Sequence, residues 1–572
     1  MFPLHDVLDD VLRTALAEYD DLTAALLVRR GVATKEDAEK FLNPSYDLHL
    51  HDPLLMTDMA KGARRLANAI LAQERIAVWS DYDCDGIPGA VLLHDFLKKA
   101  GANFENYIPH RHLEGYGVST PGIEKLAKSG VKLIVTVDSG ITDLEATARA
   151  KELGIEVIVT DHHLPKETLP DALAVINPNA RASETYPYHD LCGSSVAWKL
   201  VCAALAVEPT LREKVPMGWE KWLLDMVGLA TIADMVALTG ENRVLATYGL
   251  LVMRKSPRLG LQKLCRVIRT NQRTITEDDV GFMIAPRVNA SSRMGDAIDA
   301  FKLFTTGSEV EADELAKKLD AANRKRKAEA GAITRAVHDR LKERELRSVI
   351  ALGDPEWRPA LLGLVANNIA DEHGRPVFLW GKEGNNSIKG SVRSGGAVHA
   401  LKLMEAAEGA FTQFGGHAAA GGFTVLETAV FDLEDRLVLA HEKIVNTAED
   451  EDDLSLHADG VLTPEEVHTR FLTQIEKLAP YGMDNPRPIF LLQDVTIKEV
   501  APFGKGKEHL KLTIDASARD LHAIVFFAKG TLATTINSLS SGSRVNLLAH
   551  LERDTFSRTN PVRLRLLNLK PV

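Results

Sequence analysis

Short apolar runs alternate with helix-like segments between residues 75 and 176. Four runs rich in β-branched residues predict strands at residues 75–80, 132–137, 156–160 and 174–176. The intervening stretches have helical periodicity at residues 89–100 and 142–153. This alternation is typical of βαβ units and a parallel sheet. The first three strands each run directly into a polar turn, and the carboxyl edge of such a sheet is where ligands bind.

The hydrophobic pattern changes after residue 190. Residues 190–345 have a helical pattern, and residues 308–347 are rich in Ala, Lys, Glu and Arg without a proline, which predicts one long connecting helix. Strand-like runs at 348–352 and 376–380, with glycine-rich runs at 389–396 and 414–422, indicate a second, smaller α/β domain. After residue 454, strand-like segments alternate with turn residues, as in a small β-barrel.

These patterns divide the chain into five parts. They are an N-terminal extension (1–60), a first α/β domain (61–307), the connecting helix (308–347), a second α/β domain (348–448) and a C-terminal barrel domain (454–572). The predicted fold class is therefore α/β with an added β-barrel. A cleft between the two α/β domains is the expected place for a functional site.

The composition is that of a globular chain with several domains. Of its 572 residues, 45% are hydrophobic and 26% are charged. The chain has no apolar run of membrane length, and its start lacks the basic and apolar regions of a signal peptide. The four cysteines, Cys84, Cys192, Cys202 and Cys265, form no CxxC pair and no zinc-like spacing. We therefore expect a soluble protein of the reducing cytoplasm.

The charge of the chain is acidic overall but unevenly distributed. A formal net charge of −11 argues against binding to nucleic acid, whose phosphates require Lys and Arg. However, basic residues crowd the predicted connecting helix, at Lys317, Lys318, Arg324, Lys325, Arg326, Lys327, Arg335 and Arg340. A local basic surface is therefore compatible with the acidic total.

The turns that follow the predicted strands contain residue types that bind metal ions. They are Asp81, Asp83 and Asp85 after the first strand, Asp138 after the second, and Asp161, His162 and His163 after the third. A solvated acidic turn is the alternative for any one of them. Because the three turns share one sheet edge, their carboxylates would repel one another unless a cation lay between them. Together they favour a metal site.

The donor types restrict which metal fits. Carboxylate and imidazole without thiolate suit Mn²⁺ best, with Mg²⁺ as the second choice, whereas zinc more often recruits Cys. The turns supply more donors than one ion needs. This suggests two ions about 3.5–4 Å apart, which clamp the oxygens of a phosphoryl group during in-line displacement by water.

The three turns also have a characteristic order and spacing. Residues 81–86 (DYDCDG), 136–140 (TVDSG) and 160–163 (TDHH) are similar to the successive motifs of the DHH phosphoesterase superfamily. Further segments resemble its RecJ-type members, at residues 110–117, 191–193, 231–234, 285–294, 389–394, 414–420 and 481–486. The resemblance extends over roughly residues 75–572. It implies an exonuclease that degrades single-stranded DNA from its 5′ end, in DNA repair and recombination.

The resemblance also implies a role for the residues of the turns. The implied metal ligands are Asp83, Asp85, Asp138, His162 and Asp234, with Asp81 in or beside that set and Asp138 as the bridging ligand. His163 is similar to the family histidine that faces the scissile phosphate, and Asp161 to a partner that orients an imidazole. Asp225 is a weaker metal candidate than Asp234.

The remaining domains resemble a DHHA1 domain with a glycine-rich, phosphate-approaching loop and an OB-fold. The implied substrate-binding residues are Arg111, Arg287, Asn289, Arg293, Ser391, Arg393 and His417, with a salt bridge as the alternative for any one arginine. Candidate base-stacking residues are Phe503, Phe526, Phe527 and Phe556, although most such aromatics belong to a core. The implied partners are single-stranded DNA, single-strand-binding protein and a RecQ-type helicase.

Two departures from the family pattern and two alternative functions accompany this prediction. Ile87-Pro88-Gly89 stands where small hydroxyl residues are usual, and Asn367-Asn368 replaces a Ser-Arg pair, which removes one expected charge. One alternative is a DHH phosphodiesterase for short oligonucleotides or cyclic dinucleotides, whose members usually lack the OB-like tail. The other is a non-catalytic, RecJ-like replication scaffold, a class that degrades its metal motifs.

Overall fold

The computed structural model of the protein contains three separate sheets that follow one another along the chain. It describes residues 2–382, 387–396, 398–445, 456–504, 506–507, 509–516, 520–528, 530–554 and 561–572. Within these ranges, no helix combines the length and the apolar character needed to cross a bilayer. The α/β fold with an added barrel is confirmed.

The first sheet consists of five parallel strands in the order β2-β1-β3-β4-β5. They are β1 (Arg75–Ser80), β2 (Asn103–Tyr107), β3 (Leu133–Val137), β4 (Glu156–Thr160) and β5 (Ala174–Ile176). The apolar runs predict all of these except β2, whose partly polar residues lie half-buried at the sheet edge. The chain winds from β1 to β2 in one direction and continues with β3 on the other side of β1. This switch opens a crevice at the carboxyl ends of β1 and β3.

Helices cover both faces of this sheet. The helices up to the connecting helix are α1 (Asp10–Ala15), α2 (Asp21–Val28), α3 (Lys35–Leu42), α4 (Met59–Leu71), α5 (Gly86–Ala100), α6 (Thr120–Lys128), α7 (Leu144–Glu152), α8 (Gly193–Val207), α9 (Leu224–Ala233), α10 (Gly240–Met253), α11 (Leu259–Ile268), α12 (Ala285–Met294) and α13 (Ile298–Thr305). α4, α5 and α8 pack on one face, in one large apolar core, and α6 and α7 pack on the other. The sheet is therefore buried on both sides, as its continuous apolar strands require.

The connecting helix is α14 (Glu309–Lys342), with 34 residues. Ser308 caps its start by accepting a hydrogen bond from the amide of Glu311. The helix ends at Lys342, so the prediction that it extends to residue 347 is wrong. Arg344 and Arg347 instead form ion pairs with Glu434, which directs this segment onto the second domain.

The second sheet is mixed, in the order β6-β7-β8-β10-β9. Its elements are β6 (Ile350–Gly353), β7 (Val377–Lys382), β8 (Ile388–Arg393), β9 (Phe411–Gly416) and β10 (Ala420–Val425), with α15 (Pro359–His373), α16 (Ala400–Ala406) and α17 (Leu433–Val445). The run at 389–396 supplies five of the six residues of β8, and the run at 414–422 supplies three residues each of β9 and β10. The expected glycine-rich loop is therefore reduced to the turns at 394–396 and 417–419. Gly390 is needed for close packing, because a Cβ there would lie 2.2 Å from the ring of Phe423.

The C-terminal strands form the predicted barrel. Its elements are β11 (Gly460–Val461), α18 (Thr469–Ile475), β12 (Phe490–Phe503), β13 (His509–Ile514), β14 (Leu521–Val525), α19 (Gly530–Asn537), β15 (Arg544–Arg553) and β16 (Val562–Pro571). Five strands close in the order β12-β13-β14-β16-β15, because β15 also pairs with β12. Phe526 and Phe527 are 40% and 62% exposed at its surface, whereas Phe556 lies outside the described residues.

The N-terminal extension packs against this barrel. Leu26, Leu27 and Phe41 belong to the same apolar core as Phe490 and Leu547. The two ends of the chain therefore form one structural unit.

Buried Arg243, on α10, joins this unit to the first domain. Its guanidinium donates hydrogen bonds to the carbonyl oxygens of Phe41, Lys477, Leu478 and Ala479. Burial lowers the pKa of Arg243 to about 10, so it remains charged at neutral pH. One cation thus satisfies four carbonyl groups from both ends of the chain.

We predict that Arg243→Leu destabilises the protein by about 3 kcal/mol, because it leaves these buried carbonyls without a donor. The measurement is the thermal midpoint of the full chain. The matched control is Arg64→Leu, at an exposed position on α4. Equal midpoints for the two variants would contradict this role of Arg243.

Candidate metal centre and adjoining cleft

Three polar turns meet at the carboxyl edge of the first sheet. They follow β1, β3 and β4, and the carboxylate of Asp234, at the end of α9, joins them. The side chains fall into three overlapping sets, each with ligand atoms within 4.8 Å of one another: Asp81, Asp83 and Asp138; Asp138, His162 and His163; and Asp85, His162 and Asp234. The structure therefore brings all six predicted metal ligands together.

Three buried atoms of this cluster have no hydrogen-bond partner among the described residues. They are Oδ1 of Asp81, Oδ1 of Asp138 and Nε2 of His162. The His162 nitrogen lies 3.3 Å from Asp138, 3.6 Å from Asp234 and 3.8 Å from Asp85. Because buried polar atoms are normally paired, these gaps indicate that something else binds there. The mixed carboxylate and imidazole donors fit Mn²⁺ or Mg²⁺.

The electrostatics of the cluster also require a cation. Burial, and then the charge of neighbouring carboxylates, raises the pKa of Asp81, Asp138 and Asp234 well above the usual range. Burial lowers the pKa of His162, which keeps its imidazole neutral and able to bind a metal. Without positive charge, these carboxylates would retain protons to limit their repulsion.

Asp161 and His163 form an ion pair beside the cluster. The Asp161 carboxylate accepts hydrogen bonds from the amides of Ile141, His162 and His163 and from Nδ1 of His163, the last at 2.8 Å. Burial raises the pKa of Asp161, but these interactions outweigh it and lower the pKa overall. Burial lowers the pKa of His163, but Asp161 outweighs it and raises the pKa. The pair therefore holds the His163 imidazole at the edge of the metal cluster, with its pKa above the usual value of histidine.

The backbone of α8 positions Asp85. Its carboxylate accepts hydrogen bonds from the amides of Gly193, at 2.6 Å, and Ser194, at 2.8 Å. The Ser194 hydroxyl donates to the carbonyl oxygen of Asp85. These contacts are missed when the sequence is examined for ligands alone, although small residues at 193–195 that open an apolar helix are a usable signal for helix amides free to bind a carboxylate.

Ile87-Pro88-Gly89, which differs from the family pattern, lies in the first turn of α5. Gly89 permits close packing there, because a Cβ would lie 2.4 Å from Val137 and 2.9 Å from Oγ of Ser194. The Ser194 hydroxyl of α8 thus lies beside the acidic turn, next to residues 87–89, which have no hydroxyl of their own.

A cleft of about 660 Å³ adjoins the cluster between the two α/β domains. Tyr82, Arg111 and Tyr116 line it from the first domain, and Lys389 and Phe414 from the second. The Arg111 guanidinium lies 4.8 Å from the centre of the Tyr82 ring. The Tyr116 hydroxyl donates to the carbonyl oxygen of Asp138 and contacts Nδ1 of His163, which connects the cleft to the cluster.

The predicted substrate-binding residues of the first domain have different surroundings. Arg287 is buried and paired with Asp320 at 2.9 Å. Asn289 accepts a hydrogen bond from the amide of Cys84, within the acidic turn. Arg293 donates to the carbonyl oxygen of Ala360 in the second domain, and burial lowers its pKa to about 10.

The predicted substrate-binding residues of the second domain are Ser391 and Arg393, on β8, and His417, directly after β9. Arg393 donates to the carbonyl oxygen of Val392, and Nδ1 of His417 accepts from the amide of Ala419. None of these three residues is among the described residues that line the cleft. Asp225, the weaker metal candidate, is buried in an ion pair with Arg258, away from the ligand sets.

Known families match along most of the chain. The DHH family N-terminal domain matches residues 75–231, the DHHA1 domain residues 346–445 and the RecJ OB domain residues 458–568. The single-stranded-DNA-specific exonuclease RecJ of Bacillus subtilis is 34% identical over 93% of this chain, and the chain spans 65% of that relative. The same-named protein of Escherichia coli is 31% identical over 87% of both chains.

Solved structures agree with these matches. The crystal structure of RecJ from Thermus thermophilus in complex with Mn²⁺ has a TM-score of 0.80 at 27% identity, and the match covers 100% of this chain and 78% of that one. The complex of the same protein with Mg²⁺ has a TM-score of 0.74 at 26% identity, covering 100% and 77%. The metals in these structures are the two that the donor set of this chain suits.

Gly193 offers a test of the metal cluster that changes none of the ligand residues themselves. A Cβ there would lie 2.7 Å from Cβ of Asp138 and 3.0 Å from Oδ2 of Asp85. We predict that Gly193→Ala displaces these ligands and weakens Mn²⁺ binding by at least about tenfold. Calorimetric titration measures this. Gly307→Ala, where a Cβ would meet nothing within 4 Å, is the matched control, and equal affinities would overturn the assignment.

Proposed function

The chain belongs to the RecJ family of single-stranded-DNA-specific exonucleases, and on that premise we propose that it hydrolyses single-stranded DNA from the 5′ end with two divalent metal ions. The observation that carries this proposal is the convergence of buried, unpartnered ligand atoms beside a cleft between the two α/β domains. Family membership supports single-stranded DNA as the substrate, and the geometry of the ligands supports metal-dependent hydrolysis.

We assign the metal-binding roles by the ligand sets. The ligands would be Asp83, Asp85, Asp138, His162 and Asp234, with Asp81 beside them. Asp138 and His162 each belong to two of the three sets. Asp138 is the proposed bridging ligand because its carboxylate has two oxygens to offer, whereas an imidazole nitrogen has a single lone pair. Bound divalent ions supply an activated water and offset the charge that develops on the phosphoryl oxygens.

His163 is proposed to face the scissile phosphate. Its Nδ1 is engaged by Asp161, so Nε2 is the nitrogen that remains to donate to a phosphate oxygen. The raised pKa of His163 favours its protonated form, and a protonated ring would donate a charge-assisted hydrogen bond where negative charge accumulates. Asp161 and Tyr116 hold the ring in place, so they act as positioning residues.

The cleft supports the proposed preference for single strands. Arg111 and Lys389 give it positive charge from opposite walls, and Tyr82 and Phe414 give it aromatic surface. This combination suits a flexible strand, whose phosphates meet the cations and whose bases stack. Arg293 is proposed to contribute charge at the domain junction. Since Asp320 already pairs with Arg287, and Asn289 contacts the acidic turn, these two support the site rather than contact DNA.

For Ser391, Arg393 and His417 we retain the proposal that they contact DNA. Their place on or after β8 and β9, next to strands that line the cleft, supports a contact with phosphates farther along the strand.

Two observations disfavour the alternative functions. The match to the RecJ OB domain at residues 458–568 favours long DNA over short oligonucleotides or cyclic dinucleotides. The convergence of all six ligand residues disfavours a scaffold without catalysis.

We also propose that the enzyme acts in the cytoplasm, in DNA repair and recombination, with single-strand-binding protein and a RecQ-type helicase. The support is that all three proteins share one substrate, because a helicase produces the strand that the cleft admits. A coupled digestion of duplex DNA, with and without a purified helicase of this type, tests the cooperation. Equal degradation in both reactions would exclude it.

Digestion of oligonucleotides labelled at either end tests the proposed activity. In Mn²⁺, we expect loss of a 5′ label as short products and survival of a blunt duplex of the same sequence. Asp138→Ala should lower the rate by at least about 10³-fold while DNA binding persists, because this carboxylate serves the metals. The control is Asp171→Ala, an exposed aspartate paired with Lys151. Activity of Asp138→Ala at the control rate, or release from the 3′ end, would refute the proposal.

A further inference from the structure

The basic residues of α14 divide into two groups. Six have a carboxylate partner: Lys317 with Asp313, Lys318 with Asp299, Arg324 with Asp320, Lys325 with Glu329, Arg340 with Asp354 and Lys342 with Asp339. Arg326, Lys327 and Arg335 have none among the residues that the structure describes. The Arg326 side chain donates instead to a neutral amide, Oδ1 of Asn323, at 3.1 Å.

These three unpaired cations lie together. They line a pocket of about 450 Å³ between α14 and α15, with Gly331 and Asn368. Gly331 has no side chain, and Asn368 is the short, neutral residue where the family pattern has an arginine. The pocket is therefore concave, open and positively charged, which are the properties of an anion site.

The charges of the pocket repel one another. Burial, and then the charges of Arg287 and Arg326, lowers the pKa of Lys327, and the smaller opposing effect of Asp320 does not offset them. Burial and Arg287 likewise lower the pKa of Arg326. His338, at the pocket's edge, is already paired with Glu372 at 3.0 Å, and this carboxylate does not pair with the three cations. A bound anion would relieve the repulsion that remains.

A line of cations connects the pocket with the metal cluster. The charges of Arg111, Arg326 and Asp83 all act on Arg293, so Arg293 lies near both Asp83 of the cluster and Arg326 of the pocket. Arg111 also lines the cleft. A strand that follows these cations would pass from the metal cluster, along the cleft, to α14.

We propose that the pocket formed by Arg326, Lys327 and Arg335 is a phosphate-binding subsite for the single strand, outside the metal cluster. This inference rests on the proposed function. It assigns the pocket a phosphodiester of DNA as its ligand. The paired basic residues of α14 are not part of the subsite, because their charge is already compensated.

The salt dependence of DNA binding tests the subsite. The pocket variant is Lys327→Ala with Arg335→Ala, and the control is Lys317→Ala with Arg324→Ala, which removes the same charge from paired positions of the same helix. Binding of a fluorescent 20-nucleotide strand is measured without divalent ions between 50 and 200 mM salt. Each lost phosphate contact should reduce the slope of log K against log salt by about 0.7. We expect a reduction of about 1.4 in the pocket variant and less than half of that in the control.

Two further measurements separate a lost contact from a folding defect. Asn368→Arg adds a cation to the pocket and should tighten binding of the 20-nucleotide strand, which a merely damaged protein would not do. In Mn²⁺, the pocket variant should hydrolyse a dinucleotide at the wild-type rate but show a KM for the 20-nucleotide strand raised about tenfold.

The outcomes distinguish the subsite from the proposed function. If the wild-type chain does not degrade single-stranded DNA, the proposed function fails, whatever the pocket variants do. If it does, and the pocket variant has the same salt slope and KM as the control, the subsite alone is refuted.

Discussion

The architecture depends on one constraint, which is that like-charged carboxylates are buried together at a sheet edge. Asp81, Asp138 and Asp234 repel one another in a region with little water, and burial raises their pKa values. Such a cluster is stable in its ionised form only around cations. The parallel sheet imposes the cluster, because β1, β3 and β4 all end at the same edge. The α8 start and the Asp161–His163 pair then hold the ligands in place.

The rest of the molecule places charge around this centre. The chain has a net charge of −11, yet Arg111 and Lys389 line the cleft, and the inner part of α14 contributes Arg326, Lys327 and Arg335 to a second pocket. Most cations of α14 are paired with carboxylates, so the number of basic residues overstates the surface available to a nucleic acid. The charge of Arg243 has a structural role instead. Its buried guanidinium donates to backbone carbonyls of both chain ends and joins them to the first domain, so it is not accessible to a ligand.

The sequence predicts the metal cluster well because strand ends and ligands are close along the chain. Asp234 is different, since only the family resemblance indicates it, and it reaches the site from a helix 71 residues after His163. The partners of Arg287 and Asn289 could not be predicted, because Asp320 and the Cys84 amide become their neighbours only in the fold. The glycine-rich runs indicate the second domain, but the sequence does not show that they lie largely in strands, where glycines such as Gly390 permit close packing. The docking of the N-terminal extension on the barrel likewise depends on long-range contacts.

The central claim is that the buried carboxylates require divalent cations, and thermal unfolding in Mn²⁺ or chelator at pH 6 and pH 8 tests it most directly. A carboxyl group whose pKa is raised by folding favours the folded state at low pH, and this contribution is lost as the pH rises through the raised pKa. The metal-free protein should therefore lose stability between pH 6 and pH 8, and Mn²⁺ should restore it. The account predicts that saturating Mn²⁺ raises the midpoint by about 5 °C or more at pH 8 and by less at pH 6. An equal midpoint with and without Mn²⁺ at pH 8 would contradict it.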